Sequence, residues 1–186
     1  MYFSKFAKKV LAVAVTASSV VATPSTKKAD AASYKAYLCL QTAKFTFRNQ
    51  HDDAKFSNKL QNTTNKLSKN SAKFKDTTMK KGKKTYTVQL TGLNKCIAKD
   101  KTFNTLYVDT NIKGKDKKKV TVTNVNVFFD GKKVKTIKKG VLTPDPGQTD
   151  GFVQLQIINM WNSRVAKFKY TMPKKTIKVT YTVKIK

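Results

Sequence analysis

The segment Thr176–Lys186 constrains the fold more than any other part of the chain. Ile177, Val179, Tyr181, Val183 and Ile185 alternate there with Lys178, Thr180, Thr182, Lys184 and Lys186. Five apolar residues at period 2 share one side of an extended strand, so the segment buries one face and leaves the other in water. Tyr86, Val88 and Leu90 alternate with Thr85, Thr87, Gln89 and Thr91 in the same way. Tyr34–Asn49 reads as one long strand in which Tyr37, Cys39, Phe45 and Phe47 share a face, and Leu38 and Leu40 make its first half apolar on both sides. Phe103–Ile112, Val120–Phe129 and Phe152–Trp161 complete the long strands, the last with Val153, Leu155, Ile157 and Trp161 on one side.

Val120–Phe129 carries a phase change. Val120 and Val122 lie on one parity, and Val125, Val127 and Phe129 on the other. One inserted residue near Asn124 restores the phase, which predicts a β-bulge. Asp130-Gly131 follows directly, a hairpin signal with Lys132–Ile137 as the partner strand. Thr143–Gln148 reads as a loop from its Pro and Gly content. Gln50–Met79 is polar, with Phe56, Leu60, Leu67 and Phe74 widely spaced, and fits either a short surface helix or a long crossing loop. With turn signals between most segments and no βαβ rhythm, the expected fold is all-β: an antiparallel β-sandwich, Ig-like or jelly-roll, of seven to eight strands.

The first residues read as an address. Lys5, Lys8 and Lys9 precede the apolar run Val10–Ala22, and Ala29-Asp30-Ala31 fits a small-residue cleavage site. The run is shorter than the roughly 20 residues that a membrane-spanning helix needs. Residues 1–31 are therefore expected to be a signal peptide, cleaved after Ala31 or Ala32, and residues 32–186 a single domain with no membrane span. No cysteine follows the apolar run, which argues against a lipid-anchored precursor. Export permits a disulfide between Cys39 and Cys96, the two cysteines. Such a bridge closes a loop of about 57 residues, worth about 4 kcal/mol in the chain-entropy account. The alternative is that Cys39 is a small buried hydrophobe of its strand.

Charge narrows the function. Lys and Arg number 39 against 10 acids, for a formal charge of +29. Arg48 and Arg164 are the two arginines, and every acid is Asp. An A/T-rich coding bias inflates Lys and Glu together, so the absence of Glu reads as depletion of negative charge. Loss of residues 1–31 removes five lysines and one aspartate and leaves +25. Chemistry that needs a glutamate acid, base or ligand is excluded, as are three-His and four-Cys zinc sites within one chain. Neither a GxxxxGK[ST] loop nor a GxGxxG turn is present. Lysines lie at solvent parities (Lys178, Lys184, Lys186) and in runs at Lys117, Lys118 and Lys119, Lys132 and Lys133, and Lys138 and Lys139. Such density recruits polyanions, including nucleic acid without sequence preference. Two arginines are few for planar, bidentate reading of phosphates or bases. The plainer alternative is a solvated face that maintains solubility.

Two polar clusters stand at strand ends: Phe47–Asp53, with Arg48, Asn49 and His51, and Asn159–Arg164, with Trp161 and Asn162. Loops at the end of a sandwich are where binding usually sits, and a Trp face with Asn and Arg donors suits a sugar ring. The alternative puts Trp161 in the core with Leu155 and Ile157. His51 beside Asp52 and Asp53 lacks a nucleophile motif for triad chemistry. Asn49, Asp52 and Asp53 fall short of a usual Ca²⁺ ligand set. No cofactor is expected.

Tyr37–Asn49, Ile158–Asn162 and Met172-Pro173 together resemble a family of small exported β-sandwich domains from anaerobic Gram-positive bacteria, which is similar to carbohydrate-binding modules. The resemblance implies extracellular, non-catalytic binding. Those domains tend to be acidic, whereas this chain is basic, and it has His51 where they often carry an aromatic. The leading expectation is a secreted, non-enzymatic protein that associates with anionic polymers or acidic polysaccharides and is held electrostatically at the cell wall. The alternative is a glycan-binding module using Trp161, Asn162, Arg164 and Arg48. An enzyme would require Asp109 or the His51 loop to line a cleft.

Overall fold

The computed structural model describes residues 33–43, 46–47, 73–75, 77–93, 100–144, 151–165 and 167–186, all within the compact unit Ala31–Lys186. The strands in chain order are β1 (Ser33–Thr42), β2 (Thr46–Phe47), β3 (Lys73–Lys75), β4 (Thr77–Lys80), β5 (Gly82–Thr91), β6 (Phe103–Thr110), β7 (Val120–Phe129), β8 (Lys132–Lys139), β9 (Val141–Thr143), β10 (Gln154–Asn159) and β11 (Thr176–Ile185); a 3-10 turn at Gly114–Lys119 leads into β7. Sheet I runs β2-β1-β6-β10-β9, with β4 pairing the first half of β1 on the edge away from β6. Sheet II runs β3-β5-β11-β7-β8. All pairings are antiparallel. The expected antiparallel sandwich is what the chain forms. β1 and β5, the first two long strands, lie in different sheets, whereas an Ig domain keeps its first two strands in one. Among the described residues no helix is long and apolar enough to cross a membrane.

The stripe that sets the sequence pattern sets the core. β11 lies in the middle of sheet II, and Ile177, Val179, Tyr181, Val183 and Ile185 all point inward. They share one cluster with Leu38, Leu40, Leu106, Val108, Leu155 and Ile157 of sheet I. Each fully buried aliphatic side chain stabilises the fold by about 1.5–3 kcal/mol relative to exposure. The expected bulge is present: Thr180 opposes Asn126 and Thr182 opposes Thr123, which leaves two residues of β7 opposite Tyr181. Asn124 adopts φ 51, a left-handed conformation that Asn tolerates better than most residues. The inserted residue lets Val122 and Val125 both face the core despite their opposite parity.

Some elements differ from expectation. The predicted strand Tyr34–Asn49 stops at Thr42, and Thr46–Phe47 folds back to pair with Leu40–Gln41. Gln41 and Ala43 interrupt the apolar stripe of Tyr37 and Cys39, so a straight continuation has no apolar face to follow. β3 and β4 form in the C-terminal part of Gln50–Met79, and the rest of that segment lies outside the described residues. β10 is shorter than Phe152–Trp161, with Phe152 in an isolated bridge to Lys113. Cys39 is buried, and Cys96 lies outside the described residues.

Two positions join the layers. Gly140 lies where the chain passes from β8 in sheet II to β9 in sheet I, and its N–H donates to the Val122 carbonyl at 2.9 Å. A Cβ there would lie 2.7 Å from Leu155 Cδ1 and 2.9 Å from Val122 Cγ1. Asp130 and Gly131 close the β7–β8 hairpin with φ 48 and 83, the primed turn that Asp-Gly favours. The Asp130 carboxylate also accepts the backbone N–H groups of Lys174 (2.7 Å), Lys175 (2.7 Å) and Thr176 (2.8 Å), which ties the hairpin to the start of β11. Partial burial pushes this carboxyl up, but the N–H groups of Lys174, Thr176 and Lys175, with the Lys175 charge, outweigh it and hold it below the usual range.

Gly140→Ala is expected to cost about 1–3 kcal/mol by overpacking, read as a lower urea midpoint. Asp130→Asn leaves a side-chain N–H₂ facing a backbone donor and should cost about 1–2 kcal/mol at neutral pH, a figure discounted for exposure. Because the folded carboxyl titrates below its unfolded value of about 4, the stabilisation is complete above that pH and is lost as pH falls through the folded value. The stability gap between parent and variant should therefore be constant near neutrality and close in acid.

Candidate functional site

Lysine is not spread evenly over the two sheets. β3 and β5 hold two each, β8 five and β11 two, whereas in sheet I β1 and β4 hold one each and β2, β6, β9 and β10 none. The period-2 register explains the placement: with Ile177 to Ile185 inward, Lys178 and Lys184 must face out. Between them the outer face of sheet II is a field of hydroxyls and amides. Thr87, Thr180, Asn126 and Thr136 align across the strands in one row, and Thr85, Thr182 and Thr123 in the next, which ends on Lys139. Thr85 and Thr182 hydroxyls are 3.0 Å apart, and Thr136 donates to Asn126 at 2.8 Å.

At one end of this face the lysines converge. Lys184 lies directly opposite Lys83 in the β5–β11 ladder. The Lys186 N–H donates to the Lys119 carbonyl at 3.0 Å, bringing the 3-10 turn with Lys117, Lys118 and Lys119 beside the end of β11. A shallow groove of about 180 Å³ joins Lys117, Thr121, Lys139 and Gly140. At the other end Lys178 and Lys133 flank Phe128 in register, and Lys178 Nζ lies 4.5 Å from the Phe128 ring centre. The rest of β8, with Lys132 and Lys138, forms the exposed edge. Thus the lysines singled out in the sequence lie on sheet II, at the end of β11 or on the 3-10 turn beside it.

Few acids offset this charge. Asp116 pairs with Lys119 at 2.9 Å, the one ion pair among the described residues. That hydrogen bond, with the neighbouring lysines, lowers the Asp116 carboxyl, and it raises the Lys119 ammonium. Asp130 is occupied by backbone N–H groups, and Asp100 accepts the Thr42 hydroxyl at 2.7 Å. Asp109 is buried and accepts the Thr110 N–H at 3.0 Å, and it lines neither the groove at Gly140 nor the larger one beside Phe103 and Phe168.

The outer face of sheet I has a different character. Tyr37, Cys39 and Tyr107 form a second buried cluster there, separate from the inter-sheet core. Burial pushes the Tyr107 hydroxyl well above its usual range, and Cys39 and Asp109 add to the shift. Gln154 and Gln156 share this face and are buried as well. The Gln156 side-chain oxygen accepts from the side chains of Asn159 (3.2 Å) and Asn162 (2.9 Å), while Gln156 Nε2, both polar atoms of Gln154 and the Thr105 hydroxyl have no hydrogen-bond partner among the described residues.

The second polar cluster forms a turn after β10. The core placement of Trp161 is overturned: β10 ends at Asn159, and Trp161 is 59% and Met160 56% exposed. Asn159 is buried, and its side-chain oxygen accepts the Trp161 N–H at 2.9 Å. The Asn162 side-chain oxygen accepts the Arg164 N–H at 3.0 Å. The two Asn side chains thus shape the turn, and Trp161 and Arg164 project from it. Behind it lies a groove of about 710 Å³ lined by Phe103, Ile158, Met160, Val165 and Phe168, with Lys101, Lys167 and Lys169 at its margin. Tyr170 links this groove to sheet II: its hydroxyl accepts the Phe103 N–H at 2.9 Å, and its ring meets Phe129 edge-on at 5.7 Å. Sequence reasoning did not find the groove. The signal was the alternation Lys167, Phe168, Lys169, Tyr170, Thr171, Met172, whose apolar members pack on the core.

Arg48, Asn49 and His51, with the oxygens of Asp52 and Asp53, lie outside the described residues. Among the described residues no group of three or more His, Cys, Asp or Glu could hold a metal ion.

Like charges directly opposite in a ladder destabilise it, so the Lys83–Lys184 pair is held against the stability of the sheet. Lys83→Gln/Lys184→Gln is expected to raise stability by about a few tenths of a kcal/mol, with a gain that shrinks as salt is added. Thermal melts at low and high salt read both effects.

Comparisons of the chain with protein-family models, with curated protein sequences and with solved structures found no match, so its functional reading rests on the geometry above.

Proposed function

We propose that the protein is a secreted binding protein, mature from residue 32, whose sheet II face associates with anionic polymers such as phosphate- or carboxylate-bearing wall polysaccharides. The observation that carries the reading is the convergence of Lys83, Lys139 and Lys184 of sheet II with Lys117 and Lys119 of the adjoining 3-10 turn at one end of that face. Burial of the outer face of sheet I by itself keeps lysine off β6 and β10, but a coat that served only solubility has no reason to set Lys83 opposite Lys184. The threonine field between the lysine groups adds short-range donors to a long-range attraction. Lysine without arginine suits a flexible polyanion, because a hydrated point charge tolerates many phosphate or carboxylate positions.

The exposed ring of Trp161 is what a glycan platform requires. The neighbouring amides of Asn159 and Asn162 are engaged within the turn, which removes two neutral donor groups from the reach of a sugar on the ring. The polymer reading therefore takes precedence.

The purified chain 32–186 should be retained on heparin and polyphosphate and be eluted by salt. Lys83→Gln/Lys184→Gln should weaken binding roughly tenfold and lower the slope of log affinity against log salt by roughly one to two. Lys35→Gln/Lys80→Gln, which removes the same charge from sheet I, should change either quantity little. Retention insensitive to salt, or an equal loss from both variants, would sink the proposal.

A further inference from the structure

We propose that the turn after β10 docks the protein onto an anionic lipid bilayer, with Met160 and Trp161 entering the headgroup–acyl boundary and Lys101, Arg164, Lys167 and Lys169 meeting lipid phosphates. This surface differs from the lysine face of sheet II, and the interaction adds two adjacent apolar side chains that are more than half exposed.

Exposure is the first argument. Among the described residues the large hydrophobics left in water are Met160, Trp161 and Val141, and the first two are adjacent and more than half exposed. Both stand at the tip of one turn. Apolar groups kept in water side by side, with cations around them, mark an interaction site.

The turn is also built to hold that tip still. The Met160 N–H donates to the Asn104 carbonyl at 2.9 Å, and the Trp161 N–H donates to Asn159. Asn162 donates to Gln156 and, through its side-chain oxygen, accepts from Arg164. These bonds anchor the turn to β10 and to the start of β6. The apolar pair is therefore presented without the ordering cost that a floppy loop pays on binding.

Chemistry selects the occupant. Trp and Met offer an amphipathic ring and an adaptable thioether, and Trp concentrates at membrane–water boundaries. The groove behind the tip, walled by Phe103, Ile158, Val165 and Phe168, extends the apolar surface inward. Its margin is cationic, with no carboxylate among its lining residues. A neutral sugar would need neutral donors and acceptors beside the ring, and the nearest amides are already engaged. A surface carrying both acyl chains and negative charge satisfies the apolar tip and the cations together.

Trp161 is the one tryptophan in the chain, so intrinsic fluorescence reads this site alone. Chain 32–186 is titrated with vesicles of phosphatidylglycerol and phosphatidylcholine, and separately with pure phosphatidylcholine. The expected result is a shift of emission to shorter wavelength with the anionic vesicles only, and quenching by brominated acyl chains. Met160→Ser keeps the reporter and should reduce partitioning roughly tenfold, with an unchanged melting curve because residue 160 is exposed. Lys83→Gln/Lys184→Gln should keep the shift at saturating lipid, which separates failure of this site from failure of the polymer face. Vesicle binding without an emission shift would assign the adsorption to lysines alone and overturn the proposal. An emission shift with a neutral hexasaccharide such as cellohexaose, in the absence of lipid, would assign the turn to sugar and overturn it too.

Discussion

The register of β11 is the constraint on which the rest of the molecule depends. This strand lies between β5 and β7, and its apolar stripe meets sheet I across the sandwich. A slip of one residue would carry Lys178 and Lys184 into the core and put Val179 and Tyr181 in water. Burying an unpaired ammonium costs several kcal/mol, so the stripe fixes the outer face as firmly as the inner one. The same register aligns Thr182 with Thr85 and Thr123, and Lys184 with Lys83. The lysine-bearing face is therefore a by-product of core packing in position, while its composition is a separate choice.

That choice works against stability. Five lysines in β8, an edge strand, leave like charges close together, and the one ion pair among the described residues, Asp116–Lys119, lies in the 3-10 turn and neutralises none of them. Edge lysines also block strand addition by another chain, so part of the β8 charge has a structural use. Lys184 has no such use, since β11 is paired on both sides there, with Lys83 of β5 and Thr121 of β7, whereas Lys83 lies beyond the Gln89–Thr91 stretch of β5 that β3 covers and shares the edge role. The cross-strand repulsion at Lys184 is best explained by what the two charges do toward a partner. With a screening length of about 8 Å at physiological salt, the lysines at the β5–β11 end act as one source of potential, and a single substitution removes only part of it.

How far the chain could be read from its sequence follows from where the alternation is clean. β5 and β11 were legible because each has one wet and one dry face. The β7 bulge was legible because Val122 and Val125 cannot both face inward without an inserted residue, and the hairpin because Asp-Gly fits a primed turn. Sheet I was less legible, and the reason is physical. Gln154 and Gln156 alternate with Leu155 and Ile157 as if they faced solvent, yet both faces of β10 are buried. Trp161 misled by parity: the β10–β6 register shifts between Gln156 and Ile158, and the strand ends at Asn159, so a residue four beyond Ile157 no longer shares its side. Composition indicated a cationic protein, but its polarity between the sheets emerged only once each lysine-rich segment was assigned to a layer.

The two proposed surfaces adjoin at Lys169 and Tyr170. These residues line the groove behind the Trp161 turn and also a second groove that runs beside Lys132, Lys133 and Lys174. Charge and apolar tip thus form a continuous path around one end of the sandwich, with Tyr170 packed between Phe103 of sheet I and Phe129 of sheet II. The two interactions differ in range. Lysine attraction reaches about a Debye length and is attenuated by salt, whereas burial of Trp161 and Met160 acts on contact and scales with apolar area. On an anionic envelope the first concentrates the protein near the surface and the second slows its departure. Salt should then govern arrival more than release for any partner that takes the apolar tip, and both together for a partner that takes only the lysines.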